Sequence, residues 1–171
     1  MQTILPDLLQ PGLDVVFCGT AAGRLSAAKG QYYAHPQNKF WRILHETGLT
    51  PRQLAPAEFP ELVRYRIGAT DIAKYVSGMD KELPRGSLGM PARQDLHARI
   101  STTAPKILAF TSLTGGNKFL GGKPAFGAQA ATIGSTRIWV LPSPSPAAHW
   151  NWDAHRHIWH ELAAEIRRLR T

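Results

Sequence analysis

Residues 31–41, QYYAHPQNKFW, set two tyrosines, a histidine, an asparagine, a phenylalanine and a tryptophan within eleven positions. Aromatic faces stack on flat heterocycles, and a side-chain amide offers one donor edge and one acceptor edge to a base. The competing use is structural: Pro36 suits the first turn of a helix whose apolar face, Trp41 included, packs inward. Phe40 suits either use. A second stretch, LPSPSPAAHWNWD (141–153), is stiffened by three prolines with serines between them. Serine hydroxyls and backbone amides grip phosphates, and an exposed aromatic wedges into a base stack. His149, Trp150 and Trp152 offer that wedge, unless the loop is only a rigid strand-to-helix turn. The third stretch, VFCGTAAG (16–23 within 15–29), runs from an apolar segment into a small-residue loop. Gly19 and Gly23 flank two alanines there, so backbone N–H groups can approach a ligand oxygen closely. GTAAGRLS lacks the Gly-Lys-Ser/Thr ending of a phosphate-binding P-loop and the three spaced glycines of a dinucleotide loop.

Charge adds a partner class. The chain has 171 residues, 20 Lys and Arg against 12 Asp and Glu, and a net charge of +8. A surface that basic favours polyanions. At 43% hydrophobic residues the length suits one globular domain over residues 1–171. No apolar run nears the roughly 20 residues of a membrane span, and MQTILPDLLQPG lacks the basic start and long apolar core of a signal peptide. Cys18 stands alone, so no internal disulfide is expected, and its place in an apolar strand reads as an inert buried thiol. One cysteine without paired histidines argues against zinc. No metal or other cofactor is expected, the expected compartment is the cytoplasm, and the expected state is a monomer.

Four segments read as buried strands: DVVFCG (14–19), RIGATDIA (66–73), KILAFTS (106–112) and RIWVLPS (137–143). Helices alternate with them. HPQNKFWRILHETG starts at Pro36 and ends at Gly48; PARQDLHARISTTAP (91–105) stops before Pro105. WDAHRHIWHELAAEIRRLR is the clearest helix, with Asp153 as cap and a stripe of Ile158, Leu162, Ile166 and Leu169. Alternation predicts an α/β fold with a mostly parallel sheet covered on both faces. VSGMDKELPRGSLGMP (76–91) reads as a loop, and TGGNKFLGGKP (114–124) as a Gly-rich surface stretch. In such sheets ligands lie beyond the C-terminal strand ends, which are CGTAAGR, TDIAKY, TSLTGG and PSPSPAAHWNW.

FCGTAAG, YYAHPQNKFW, YRIGATDI and WVLPSPSPA, in that order, resemble the motifs of the uracil-DNA glycosylase superfamily. The resemblance runs from about residue 13 to 165 and is closest to the mismatch-specific uracil/thymine and the hypoxanthine-DNA glycosylase branches. It implies a three-layer α/β/α domain around a four-stranded sheet. It also implies a monofunctional enzyme that flips a deaminated base out of DNA and hydrolyses its N-glycosidic bond, without metal or lyase step. Uracil-containing DNA would be the substrate, abasic DNA the product, and hypoxanthine and xanthine further bases in range. By position, Phe40 should stack on the flipped base, with Tyr33 beside it. The backbone of Gly19, Thr20 and Ala21 should reach the base carbonyl edge, and Asn38 should contact the base or the water. Ser143 and Ser145 should hold flanking phosphates, and Ala147 to Trp152, Trp150 included, should enter the gap.

One departure changes the chemistry. Mismatch-specific relatives carry a water-positioning asparagine in the first loop and other branches an acid; here Ala21 stands at that position. Cleavage through an oxocarbenium-like sugar still needs a placed water, negative charge near the sugar and donors for the leaving base. Asn38 can orient a water. Asp71, where those relatives tend to have lysine or asparagine, can supply the charge. His149 can donate to the base oxygen or to a phosphate, and Asp80 is a weaker candidate. Two rivals remain at this point: a module that binds uracil or abasic sites without turnover, favoured by Ala21, and an α/β enzyme of free nucleosides.

Overall fold

A computed structural model describes residues 2–170. Its strands are β1 (Val15–Gly19), β2 (Ile67–Asp71), β3 (Ile107–Phe110), β4 (Gly127–Ile133) and β5 (Thr136–Val140). They form one sheet in the order β2-β1-β3-β5-β4, with β2, β1, β3 and β5 mutually parallel and β4 antiparallel at the edge. The parallel core matches the expected one. The sheet has five strands rather than four because GAQAATI adds an edge strand, turned back by the two-residue hairpin at Gly134 and Ser135. Gly134 takes φ 57°, as such tight hairpins require.

The helices are α1 (Arg24–Lys29), α2 (Phe40–Glu46), α3 (Met90–Thr103), α4 (Leu113–Leu120), α5 (Trp152–His155) and α6 (His157–Leu169). Side-chain alternation along the strands divides them between two layers. Val15 and Phe17 of β1 face a cluster with α2 and α6, built on Phe40, Trp41, Trp159 and Leu162. Val16 and Cys18 face the opposite cluster, with Leu96 and Ile100 of α3. Burial there pushes the Cys18 thiol well above its ordinary range, so it stays protonated.

Three helix expectations shift. α2 begins at Phe40, not at Pro36, because residues 35–39 form a turn. The C-terminal helix breaks between His155 and His157, and Asp153 lies inside the short α5 rather than capping one long helix. Residues 113–120 form α4, not a surface loop. The Ser112 hydroxyl accepts from the Gly115 amide at 3.0 Å to cap it. Its glycines are packing residues: a Cβ on Gly116 would lie 2.7 Å from Val140 Cγ2. No helix among the described residues is long and apolar enough to cross a membrane.

The N-terminal segment closes the outer edge of the sheet. Leu8 bridges antiparallel to Ala69 of β2, and the Ile4 amide donates to the Lys74 carbonyl at 2.7 Å. Gly68 makes room for this. A Cβ there would collide with the Leu8 carbonyl oxygen and lie 2.7 Å from Leu13 Cδ1. Gly68→Ala is expected to cost about 2 kcal/mol of stability, in the range of core overpacking, and to loosen residues 4–8. Chemical denaturation together with amide exchange of Leu8 checks this; an unchanged midpoint would contradict it.

Candidate active site

The parallel strands bring their C-terminal ends to one rim. β1 ends at Gly19 and β2 at Asp71, and these two residues are direct register partners. The pairing continues past the strands: the amides of Ile72 and Ala73 donate to the carbonyls of Gly19 and Thr20 at 2.9 and 2.8 Å. The small-residue loop is therefore zipped to the chain that follows Asp71. Thr20 Oγ1 donates to Asp80 at 2.5 Å, and Arg24 pairs with Glu82, so the 76–91 loop is latched onto it. The Thr20 hydroxyl is thus engaged and the residue is 9% exposed. Asp80 serves this latch. Ala21 is half-buried and brings no polar side chain to the rim.

Asp71 is 5% exposed, and its carboxylate accepts no hydrogen bond from any described residue. It lies so close to the Gly19 backbone that a Cβ on Gly19 would sit 2.6 Å from Oδ1 and 3.8 Å from Thr111 Oγ1. Glycine at position 19 is what lets the carboxylate stand there. Thr111, just past β3, is within 3.2 Å of the Tyr33 hydroxyl. Gly19, Asp71, Thr111 and Tyr33 therefore converge on one spot. Burial raises the Asp71 carboxyl from the usual carboxylate range to about 6; Lys74 pulls down, Asp7 pushes up and Arg99 pulls down.

A charged network surrounds the outer side of this carboxylate without bonding to it. Asp7 accepts from Lys74 Nζ at 2.6 Å and from Thr70 Oγ1 at 2.6 Å. Arg99 approaches Asp7 at 3.3 Å and donates to the Asp71 backbone carbonyl at 3.2 Å. The buried Lys74 is thereby held by Asp7, with the Tyr32 hydroxyl at 3.4 Å. Thr111, Asp7, Lys74 and Arg99 were not among the residues singled out from sequence. Thr111 and Lys74 carry a sequence signal, their place in the strand ends TSLTGG and TDIAKY; Asp7 and Arg99 carry none.

The aromatic assignments change. Phe40 is 0% exposed, with Phe17 and Trp41 edge-on and Tyr33 stacked on it at 3.9 Å. It has no free face for a base. Tyr33 covers it and is itself only half-buried. Tyr33 holds φ 50°, an uncommon conformation for a tyrosine. The indole N–H of Trp41 supports it by donating to the carbonyls of Tyr32 and Tyr33, each at 3.2 Å. Burial, with Asp71 nearby, pushes the Tyr33 hydroxyl far above its ordinary range, so it remains a donor. Trp152 is also core: it is 3% exposed and packs on Trp159 at 6.2 Å. The signal is spacing, since Trp152, Trp159 and Ile166 recur every seven residues, across the break between α5 and α6.

Trp150 is the opposite case, 77% exposed on the short 3-10 helix Pro146–Asn151. This turn is anchored from below. Trp159 Nε1 donates to the Pro142 carbonyl at 2.9 Å, and the Lys39 amide to the Pro144 carbonyl at 2.9 Å. Ser143 Oγ accepts from the Ser145 amide at 3.2 Å, and Ser145 Oγ from the Ala147 amide at 3.3 Å. Each hydroxyl keeps its proton to donate outward. Ala147 is exposed beside them. His149 Nδ1 donates to the Pro146 carbonyl at 3.1 Å, leaving Nε2 outward. Asn38 Oδ1 accepts from the Phe40 amide at 2.9 Å, so its outward group is the Nδ2 donor. Asn38 and His149 line one cleft together, but neither contacts Asp71. Among the described residues no group of three or more His, Cys, Asp or Glu is arranged to hold a metal ion.

Residues 6–163 match the family model of the uracil DNA glycosylase superfamily. The chain belongs to that superfamily. A DNA glycosylase role in repair follows from membership. The fold is similar to the solution structure of a candidate uracil DNA glycosylase from Methanosarcina acetivorans. The TM-score is 0.63 at 19% identity, covering 98% of this chain and 97% of that one. At that identity the likeness speaks for the shared fold.

In this superfamily member the isolated carboxylate has a measurable cost. The folded carboxyl titrates near 6, above its ordinary 3.8. The folded state therefore holds a proton that the unfolded state has released, and stability falls as pH rises from about 4 to 6. Asp71→Asn removes that penalty. It is expected to gain on the order of 3 kcal/mol at pH 7.5 and to lose the gain by pH 4. Thermal melts of both proteins at both values check this; a variant less stable than the wild type at pH 7.5 would mean the ionised carboxylate is favourably bonded.

Proposed function

We propose that the protein excises uracil from DNA, with hypoxanthine and xanthine as secondary bases, and that Asp71 does the work of the polar residue missing at Ala21. The observation that carries this is a buried carboxylate without a hydrogen bond, pressed against Gly19 at the strand rim. Such a group in a structural role would normally be paired. In a catalytic role it offers concentrated negative charge and a base of suitable strength.

In this reading the flipped base stacks on the open face of Tyr33. The backbone of Gly19 to Ala21 donates to its carbonyl edge. The N-glycosidic bond breaks with its electron pair leaving on the base, and the sugar becomes oxocarbenium-like. Ionised Asp71 stabilises that cation and takes the proton from the water that adds to the anomeric carbon. Thr111 and the Tyr33 hydroxyl hold the water's other side. Asn38 Nδ2 acts as a donor to the DNA beside the pocket, and His149, with its Nδ1 proton committed to Pro146, offers Nε2 as an acceptor. Ser143 and Ser145 donate to flanking phosphates at the exposed Ala147 turn, and Trp150 fills the gap in the stack. The product is an abasic site, with no metal in the chemistry.

The rival is a binder without turnover, which Ala21 favours. An oligonucleotide with one uracil, incubated with the protein and then heated in alkali, separates the two. Strand scission at the uracil supports the enzyme, and a retained complex without scission supports the binder. Tyr33→Ala is expected to lower excision about tenfold to a hundredfold, as loss of one stacked base does. An unaffected rate would remove Tyr33 from the pocket. Parallel substrates carrying hypoxanthine, xanthine and thymine rank the bases.

A further inference from the structure

The cleft that Asn38 and His149 line lies between the 36–39 turn, the exposed face of α2 and the Pro146–Asn151 helix. Its volume is about 510 Å³, and it is lined by Pro36, Gln37, Asn38, Lys39, Arg42, Gln53, Pro146 and His149. That is in the range of small-ligand sites. No acid lines it. The chemistry is uniform: two cations, an imidazole and three side-chain amides.

The cations are available. Elsewhere arginines near this region are committed: Arg52 pairs with Glu58, and Arg156 with Glu46. Arg42 has no ion pair or hydrogen bond with any described residue. Lys39 has no acid partner either; its ammonium sits 5.6 Å from the centre of the Trp152 ring. α2 explains the placement. Phe40, Trp41, Ile43 and Leu44 are buried, which leaves Arg42 on the outer face. Uncompensated cations with amide donors in a concave site fit a phosphodiester, which needs charge for its anionic oxygens and neutral donors for its ester and sugar oxygens. The cleft also shares Pro146 and His149 with the helix that presents Trp150, so a strand entering near Trp150 is carried across it.

We propose that this cleft binds the phosphodiester backbone beyond the two nucleotides next to the lesion, with Arg42 and Lys39 on the phosphate and Gln37 and Gln53 on the neighbouring ester and sugar oxygens. The proposal rests on the DNA reading above. It makes turnover depend on substrate length: a long duplex reaches the cleft, and a trinucleotide centred on the damaged base falls short of it.

Arg42→Ala and Gln53→Ala test it, since both side chains are exposed and outside the reacting site. Excision from a 30-residue duplex and from a uracil-centred trinucleotide is compared at several salt concentrations. Arg42→Ala is expected to lower kcat/KM on the duplex about tenfold and to reduce the salt slope of binding by about one. Gln53→Ala should give a smaller loss with an unchanged salt slope, and neither variant should slow the trinucleotide. Equal losses on both substrates, or no loss with an unchanged slope for Arg42→Ala, would overturn the cleft. If the wild type cleaves neither substrate, the excision reading fails by itself. Equilibrium binding of undamaged duplex then still decides the cleft: a salt slope lower by one for Arg42→Ala supports it, and identical binding overturns it.

Discussion

A nearly buried carboxylate that accepts no hydrogen bond from the protein constrains everything around it. Asp71 is at the end of β2, the parallel strand at one edge of the sheet, and its oxygen occupies the place a side chain on residue 19 would take. That contact demands glycine at 19, close registry of β1 with β2, and a neighbouring cation that helps without binding. Asp7 meets the last demand by holding Lys74 at 2.6 Å. A direct Lys74–Asp71 pair would neutralise the carboxylate. The N-terminal segment, threaded past Gly68, is thus part of the electrostatics of the rim and not merely an edge cover.

The rim also gathers groups of different chain origin because parallel strands all end on one side. β1 contributes backbone donors, β2 the carboxylate, β3 Thr111, and β5 leads into the Ser-Pro turn with Trp150. Two aromatic pins set the heights of the parts. Trp41 fixes the backbone of Tyr33, and Trp159 fixes the Pro142 carbonyl below the turn. Core packing and site geometry are therefore the same contacts seen from two sides.

Much of this was legible in the sequence. The parallel strands announce themselves as short apolar runs, and the ends of β1 and β2 point to Gly19 and Asp71 before any coordinates. β4 does not, because GAQAATI has one large apolar residue and lies exposed on an edge. α4 hides behind glycines that serve close packing against Val140 rather than a loop. In the site, aromatic type points Phe40 and Trp152 toward a ligand, while their helical spacing points them inward, and spacing decides. The network of Asp7, Lys74 and Arg99 is beyond reach for a plainer reason. Their meeting spans more than ninety residues of chain between Asp7 and Arg99, and no local pattern encodes it.

The central claim is that Asp71 supplies the charge and basicity that Ala21 cannot. The direct measurement is the single-turnover rate of uracil excision between pH 5 and 8, for the wild type and Asp71→Asn. The account predicts a wild-type rate that drops with one midpoint near 6, following the titration of Asp71. It predicts an Asp71→Asn rate at least about a hundredfold lower, as loss of a general base gives, and flat with pH. A variant as fast as the wild type, or a wild-type rate unchanged down to pH 5, would contradict it.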